Sequence, residues 1–237
     1  MVDVLYIKGR PSINNDQELL YSLRSLEENV QDYDRVFITG ECPDFIDKKK
    51  VVFLPEHDIG GPMINHWWKV TRTIEQTDIS ENFVLMYDDI FFTQPTKLTD
   101  YPFYQRGMLG EVGEGGWIYR QWLDNTKEWL SKRGYTWYDC ELHVPCVYNR
   151  KNFLGLYEVF KRLSDVDIYI AQMAVRSTYA NLFLKEEPMI RRDVKIRDKD
   201  EFIPIWLDCF SVSDEAFKFK TLEYLKNKYN KKGRFEK

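Results

Sequence analysis

The chain has 237 residues, 43% hydrophobic and 16% aromatic, which is enough for one sizeable core or one core with a small annex. Its 34 basic and 38 acidic residues give a formal net charge of −4, so there is no bulk electrostatic drive toward nucleic acid, though a local basic groove stays open. Cys42, Cys140, Cys146 and Cys209 are scattered without a CxxC pair, which argues against zinc and for buried free thiols in a reducing compartment.

The N-terminal MVDVLYIKGR has no basic n-region and no long apolar stretch, so it reads as a first strand rather than a signal peptide. No apolar run approaches membrane-spanning length, and the expected setting is soluble and cytoplasmic. Residues 2–7 are a predicted strand ending at the turn KGRPS. In NNDQELLYSLRSLEENV, Asn15 and Glu18 have the spacing of an N-cap and its capping-box partner. Leu19, Leu20, Leu23, Leu26 and Val30 follow with helical spacing. Strands are predicted at 34–40 and 50–55, then the loop EHDIGGP, a helix over 63–77 and a strand over 83–87. This alternation predicts an α/β fold, a mainly parallel sheet flanked by helices. Ligands of such sheets bind outside the carboxyl ends of the strands, where Arg10, Gly40, the 56–62 loop and the end of the fourth strand converge.

The second half is less regular. GMLGEVGEGG (107–116) is a Gly-rich loop matching neither GxxxxGK[ST] nor GxGxxG. Helices are predicted over 118–132, 150–163 and 166–184, with an extended segment over 142–153 leading into the second. WLDCFSVSDEAF (206–217) reads as a strand that reaches Asp214 and opens a final helix, and KNKYNKKGRFEK closes the chain as a basic, polar stretch. No repeat or linker divides the chain, so one domain over 1–237 is expected.

The most informative stretch is FVLMYDDIFF (83–92), where Asp88 and Asp89 sit inside an apolar run. An Asp pair ordinarily makes a turn or a cap. Here no Gly or Pro accompanies it, and the run resumes with Ile90, Phe91 and Phe92. Adjacent carboxylates in an apolar setting repel and lose hydration, and a cation relieves both costs. Carboxylate oxygens suit magnesium and manganese, so Asp89 and then Asp88 are candidate metal ligands.

Further residues carry a family resemblance. YSLRSLEENVQDYDRVFITGECPDFI and ENFVLMYDDIFF resemble a block of the Stealth family, bacterial capsular-polysaccharide sugar-phosphate transferases and the related N-acetylglucosamine-1-phosphotransferase. The family signature is of the type YSLRSIEKYAPWIRKIYIVT…PKWL and later LNDDVFF. Tyr21 to Glu27, Pro43, Asp88, Asp89, Phe91 and Phe92 match it. A later HxP block followed by Arg-Ser is matched by His143, Val144, Pro145, Arg176, Ser177 and Tyr179. Ser213 and Asp214 stand for a final Asn-Asp pair. The chain departs from the family at LYIKGRPS, where the pattern is TWVDGSD with a functionally important Asp, and it lacks the family's long insertions.

The resemblance implies a nucleotide-sugar-binding domain of the glycosyltransferase A type, with residues 1–100 as the nucleotide-sugar half and 101–237 as the acceptor half. It implies a compact, metal-dependent glycosyltransferase that passes a sugar from a nucleotide-sugar to a hydroxyl of a glycan in polysaccharide biosynthesis or, second, of a modified DNA base. YDD is then a degenerate DxD-like motif, with Tyr87 where a carboxylate usually meets the ribose. Asp88, Asp89 and His143 are its expected ligands for Mg²⁺ or Mn²⁺, a Lewis acid for the diphosphate leaving group. A Stealth-type sugar-1-phosphate transferase and a non-catalytic sugar or nucleotide-sugar binding module are the alternatives.

Individual residues carry alternative readings. His143, extended before Val144-Pro145, is a metal ligand, a base near neutral pH or a loop histidine. Asp214 is a base, a partner of the metal or a helix cap. Glu141 and Asp139 are alternative bases. Arg10, Arg24, Lys69 and Arg72 are phosphate-binding candidates, and Asn65, Lys69 and Arg72 share a helix face at i, i+4, i+7 that points at the ligand or at solvent. His66 beside Trp67 and Trp68 reads as a packed patch. Arg176 grips a phosphate or carboxylate bidentately or makes a structural salt bridge. Trp117, Tyr119, Trp122, Tyr135, Trp137 and Tyr138 line a sugar site, fill the core or stack bases. The basic tail from Lys218 is a solvated helix end, or a contact for an anionic membrane or nucleic acid.

Overall fold

The computed structural model describes residues 1–111, 116–164 and 173–237. In chain order the elements are β1 (Val2–Lys8), α1 (Gln17–Asn29), β2 (Tyr33–Gly40), β3 (Val52–Pro55), α2 (Pro62–Gln76), β4 (Asn82–Met86), β5 (Ile90–Phe92) and β6 (Tyr104–Gln105). Then come α3 (Trp117–Ser131), β7 (Cys146–Asn149), α4 (Arg150–Ser164), α5 (Val175–Phe183), β8 (Met189–Ile190), β9 (Lys195–Ile196) and β10 (Cys209–Val212). A short α6 (Asp214–Ala216), an irregular turn (Phe217–Thr221) and α7 (Leu222–Lys228) end the series.

β1 is apolar on both faces because it is central. Val2, Val4 and Tyr6 pack with Leu19, Leu23 and Leu26 of α1, while Leu5 packs on the other face with Phe37, Trp67 and Val70. Period-2 alternation sends successive side chains to opposite faces, so one strand serves two cores. The main sheet has the order β3-β2-β1-β4-β7. Its first four strands are parallel, with Leu5 opposite both Phe37 and Leu85, and β7 runs antiparallel along β4. From β1 the chain goes to β2 on one side, and β4 lies on the other. The carboxyl ends of β1 and β4 therefore diverge into a crevice at the switch of strand order.

The expected mainly parallel α/β sheet is present, with local departures. The capping box at Asn15 and Glu18 does not form. Asn15 and Asp16 both take the left-handed conformation (φ 56° and 58°), Asp16 is the N-cap, and Glu18 accepts from Ser12 Oγ (2.7 Å) and the Asn14 amide. The apolar run after the Asp pair starts a second sheet, in which β5 pairs antiparallel with β10 and β10 pairs parallel with β9. Ser22 Oγ donates to Ile90 O (2.5 Å) and Phe92 N donates to Ser25 Oγ (3.0 Å), so α1 fixes where β5 begins. Of the helix predicted over 166–184, Val175–Phe183 is helical, and residues 165–172 lie outside the described set. Residues 112–115 of the Gly-rich loop lie outside it too. All four cysteines are free; three are buried and Cys42 is half-buried.

Gly40 closes β2 at φ 127°, and a Cβ there would stand 1.9 Å from Lys8 O. Gly40→Ala is expected to cost on the order of 3 kcal/mol of stability. A thermal melt matching the parent would refute that reading of the β1–β2 contact.

Candidate functional site

β4 ends at Met86, and a tight turn, with Ile90 N donating to Tyr87 O (3.3 Å), hands the chain to β5. Tyr87, Asp88 and Asp89 are that turn, and they line a cleft of about 500 Å³ together with Glu141, His143, Arg176, Lys195 and Asp214. Each aspartate meets its own lysine. Lys8, 3% exposed, lies 3.3 Å from Asp88 Oδ2 and also holds Asp16 Oδ1 (2.9 Å) and Arg10 O (2.9 Å). Asp89 Oδ2 accepts from Lys195 Nζ (3.1 Å) and Ser211 Oγ (2.8 Å).

These settings split the pair electrostatically. Burial dominates at Asp88 and, helped by Asp89 and Glu18, pushes its carboxyl up to about 6 against the pull of Lys8. Burial also pushes Asp89 up, but Lys195 and His143 overcome it and hold Asp89 below the ordinary value. Because the folded-state value of Asp88 is raised above the unfolded one, its ionised form opposes folding at neutral pH. The penalty fades as pH falls through about 6 and is gone below the unfolded value of 3.8. Asp88→Asn is therefore expected to raise the melting temperature at about pH 7.5, with the gain vanishing by about pH 4. A gain independent of pH would contradict the assignment.

His143 is held from one side. Its backbone N–H donates to Asp193 Oδ1 (3.0 Å) and its Nδ1 lies 2.9 Å from Asp193 Oδ2. Burial works against the charge on Asp193, but bonds from His143 and Arg197 keep its carboxyl far below the usual range. An ionised acceptor requires a proton on Nδ1, which makes Nε2 the nitrogen that accepts in the neutral ring. Nε2 makes no hydrogen bond among the described residues. Glu141 is buried and accepts from Ser177 N (2.8 Å) and Ser177 Oγ (3.1 Å); burial raises its carboxyl despite nearby Arg176. Asp214 presents its side chain at the cleft from the start of α6, where Ser213, not Asp214, is the N-cap and accepts from Ala216 N (3.3 Å).

Arg176 is the unusual member. It is 2% exposed, yet it has no carboxylate partner among the described residues, and its Nε and Nη2 have no hydrogen-bond partner. The guanidinium lies 4.7 Å over the Tyr87 ring, and the Tyr87 hydroxyl lies 2.7 Å from His66 Nδ1. Burial, then Arg176, drives His66 well below its ordinary value, so this imidazole is neutral. A buried cation with orphaned donors is costly unless an anion completes it.

The other predicted residues divide. Asn65 and Lys69 border a pocket of about 230 Å³ that shares Tyr87 with the cleft and includes Lys8, Gly9 and His66. There Lys69 Nζ donates to Asp58 Oδ1 and Lys8 O, both at 2.6 Å, and the Asn65 amide brackets Ile59 N, Gly60 N and Gly60 O. Arg72 leaves the shared face for Glu56 (3.1 Å) and Glu75 (3.3 Å). Arg24 grips Glu236 with bonds of 2.7 and 2.8 Å and Tyr229 O at 2.8 Å, tying α1 to the C-terminal segment instead of the cleft. Arg10 is exposed and contributes its carbonyl to Lys8. Asp139 is fully buried against Arg106 (3.0 Å), whose Nη2 also reaches Tyr119 Oη (3.2 Å). Sequence reading missed Lys8, Lys195, Asp193 and Arg106. Lys8 reads as a turn residue, Asp193 and Lys195 stand in a polar stretch, and Arg106 precedes the Gly-rich loop with no periodic signal.

For a metal ion, the chain offers two adjacent carboxylates of one turn. No group of three His, Cys, Asp or Glu able to hold a metal occurs among the described residues. Magnesium and manganese accept one or two protein carboxylates when substrate phosphates complete the shell. The Asp pair fits that partial donor set, and the raised carboxyl of Asp88 marks a place where more positive charge is favourable.

No family model matches the chain, and no curated protein matches it either. Among solved structures it is similar to the apo-form glycosyltransferase GlyE of Streptococcus pneumoniae TIGR4, with 9% identity, 81% of this chain and 45% of GlyE covered, and a TM-score of 0.40. A second GlyE structure gives 8% identity, 80% and 45% coverage, and 0.39. An active-site mutant of LgtC gives 10% identity, 87% and 82% coverage, and 0.47. The chain spans less than half the length of GlyE.

Proposed function

We propose that the cleft transfers a sugar from a nucleotide-sugar to a hydroxyl acceptor. The observation that carries this reading is Arg176, a buried guanidinium with orphaned donors beside two carboxylates and a histidine with a free Nε2. An anion is needed to complete Arg176, and a diphosphate meets it with oxygens in the right number and charge. The pocket sharing Tyr87 then takes the nucleoside end. Asp88 and Asp89 would hold a divalent ion, which would supply Lewis-acid stabilisation of the departing charge.

The remaining chemistry falls to the chain's own groups. His143 Nε2 accepts the acceptor's hydroxyl proton, with Asp193 stabilising the imidazolium that forms. The acceptor oxygen bonds to the anomeric carbon, the bond from that carbon to the phosphate oxygen breaks, and the nucleoside diphosphate leaves with the electron pair. Arg176 gains most as that charge builds, because donors in a dry wall act with little reorganisation. Asp214 lies at the exposed edge of the cleft, where it orients the incoming hydroxyl.

The test is a thermal-shift panel of nucleotides and nucleotide-sugars with and without manganese, followed by product analysis. The expected result is a rise in melting temperature with one nucleoside diphosphate, dependent on metal and lost in Asp89→Ala. Turnover should release nucleoside diphosphate; release of the monophosphate would instead mark sugar-phosphate transfer. No shift with any nucleotide would overturn the proposal.

A further inference from the structure

The proposed transfer uses His143, Asp214, Arg176 and the aspartate pair, and it leaves Glu141 without a task. Glu141 is 8% exposed and lines the cleft. Its Oε1 accepts from the backbone N–H of Ser177 (2.8 Å) and from Ser177 Oγ (3.1 Å). Ser177 is fully buried, and its Oγ already accepts from Cys140 N (3.0 Å), so its one hydroxyl proton is committed to Glu141. On the other side the Glu141 N–H donates to Asp139 Oδ1 (3.0 Å), and Asp139 is itself paired with Arg106 (3.0 Å). The carboxylate is therefore fixed by α5 and by the extended segment that carries it, before any ligand arrives.

Its second oxygen is different. Oε2 makes no hydrogen bond among the described residues and is not sealed inside the wall, so it opens on the cleft. A carboxylate this deeply buried is costly until donors complete it. Ser177 completes one oxygen, and the other awaits a donor from the ligand. A metal ion fits poorly, because Glu141 joins no group of three His, Cys, Asp or Glu able to hold one among the described residues. A ligand ammonium fits poorly too. Arg176 is the charge that acts most on Glu141, and Lys195 lines the same cleft. A hydroxyl brings a donor without a charge and is left as the match.

We infer that Glu141 Oε2 accepts a ring hydroxyl of the sugar being transferred, and so selects which donor the cleft takes. The inference rests on the transferase reading and deepens it. In that reaction the sugar lies between the phosphate it leaves and the hydroxyl it joins. Arg176 marks the first end and His143 the second. Glu141 stands two residues before His143 and is bonded to Ser177, the residue after Arg176, so it belongs to the stretch of wall between them. The substrate class is a neutral sugar with a free hydroxyl at the position facing Oε2. A donor lacking that hydroxyl leaves Oε2 buried and unpaired, and sites built to meet a hydroxyl reject such analogues strongly. A donor with a carboxylate there meets like charge.

The experiment starts with turnover of UDP-glucose, UDP-galactose, UDP-N-acetylglucosamine and GDP-mannose by the full chain with manganese. The donor that reacts is then compared with its single-deoxy forms, one for each ring hydroxyl, in the parent and in Glu141→Gln. The amide keeps the shape and the acceptor facing Ser177, and it puts a donor where Oε2 stood. In the parent, one deoxy form is expected to lose at least about tenfold in kcat/KM. In Glu141→Gln the complete donor should fall by a similar factor, and removing that same hydroxyl should cost nothing further. Losses that simply add at every ring position would overturn the inference, because Glu141 then acts on the reacting atoms or on the fold. So would a Glu141→Gln protein that ranks all the donor forms as the parent does. Both outcomes leave the transferase reading standing, whereas failure of every nucleotide-sugar to react removes that reading and this inference together.

Discussion

Arg176→Met is expected to lower donor turnover by about 10²–10³-fold while leaving the fold as stable as before, or more stable by about 1–4 kcal/mol. The two readouts move apart because the guanidinium is buried without a carboxylate partner among the described residues and is therefore a burden on the empty fold. Methionine fills similar space against Tyr87 and Tyr148 without that charge. Arg176→Lys should recover little activity, since a single ammonium cannot reproduce a planar fork. The measurements are kcat/KM for the donor and urea unfolding of the same preparations. If turnover survives, Arg176 does not bind the anion; if the protein unfolds, Arg176 has a structural partner outside the described residues.

Lys8→Met should destabilise the chain by about 3–5 kcal/mol, the scale for breaking a buried ion pair from one side. Lys8 answers three acceptors from three parts of the chain: Asp88 after β4, Asp16 before α1 and the carbonyl of Arg10. Its removal leaves the half-buried Asp88 beside Asp89 and Glu18 without the ammonium that offsets them. Adding Asp88→Asn to Lys8→Met should restore part of the loss, and the coupling between the two changes measures the pair directly. A Lys8→Met protein that unfolds at the parent urea concentration would show that Lys8 is only a surface turn residue.

The first four strands and two helices were legible because each has a local cause: period-2 runs bounded by turns and one helical stripe in each of α1 and α2. The second sheet was not, because the pairing of β5 depends on β10, and Asp89 meets Ser211 across 122 positions. Of the residues that line the cleft, Asp88 and Asp89 stand out in the sequence as carboxylates inside an apolar run, His143, Arg176 and Asp214 through the family resemblance, and Glu141 through its place beside His143. Their counter-charges do not, because a lysine in KGR or before Ile196 looks like any solvated lysine. Arg24 shows the opposite error. It lies in the stretch with the strongest family resemblance, yet its direction on α1 sends it to Glu236. Matching a block identifies a helix, whereas which way one side chain points is decided by packing with residues far along the chain.

The second sheet also bears on vectorial synthesis. β5 emerges from the ribosome early, but β10 follows more than a hundred residues later, and the two must pair before Phe91 is covered. At about 5–20 residues per second the nascent chain spends several seconds with an apolar strand edge open. In the folded chain α1 satisfies one edge of β5 through Ser22 and Ser25, while the edge awaiting β10 has no strand to pair with in that interval. A chain released before Cys209 would keep that edge unpaired for good, presenting Ile90, Phe91 and Phe92 as a template for aggregation.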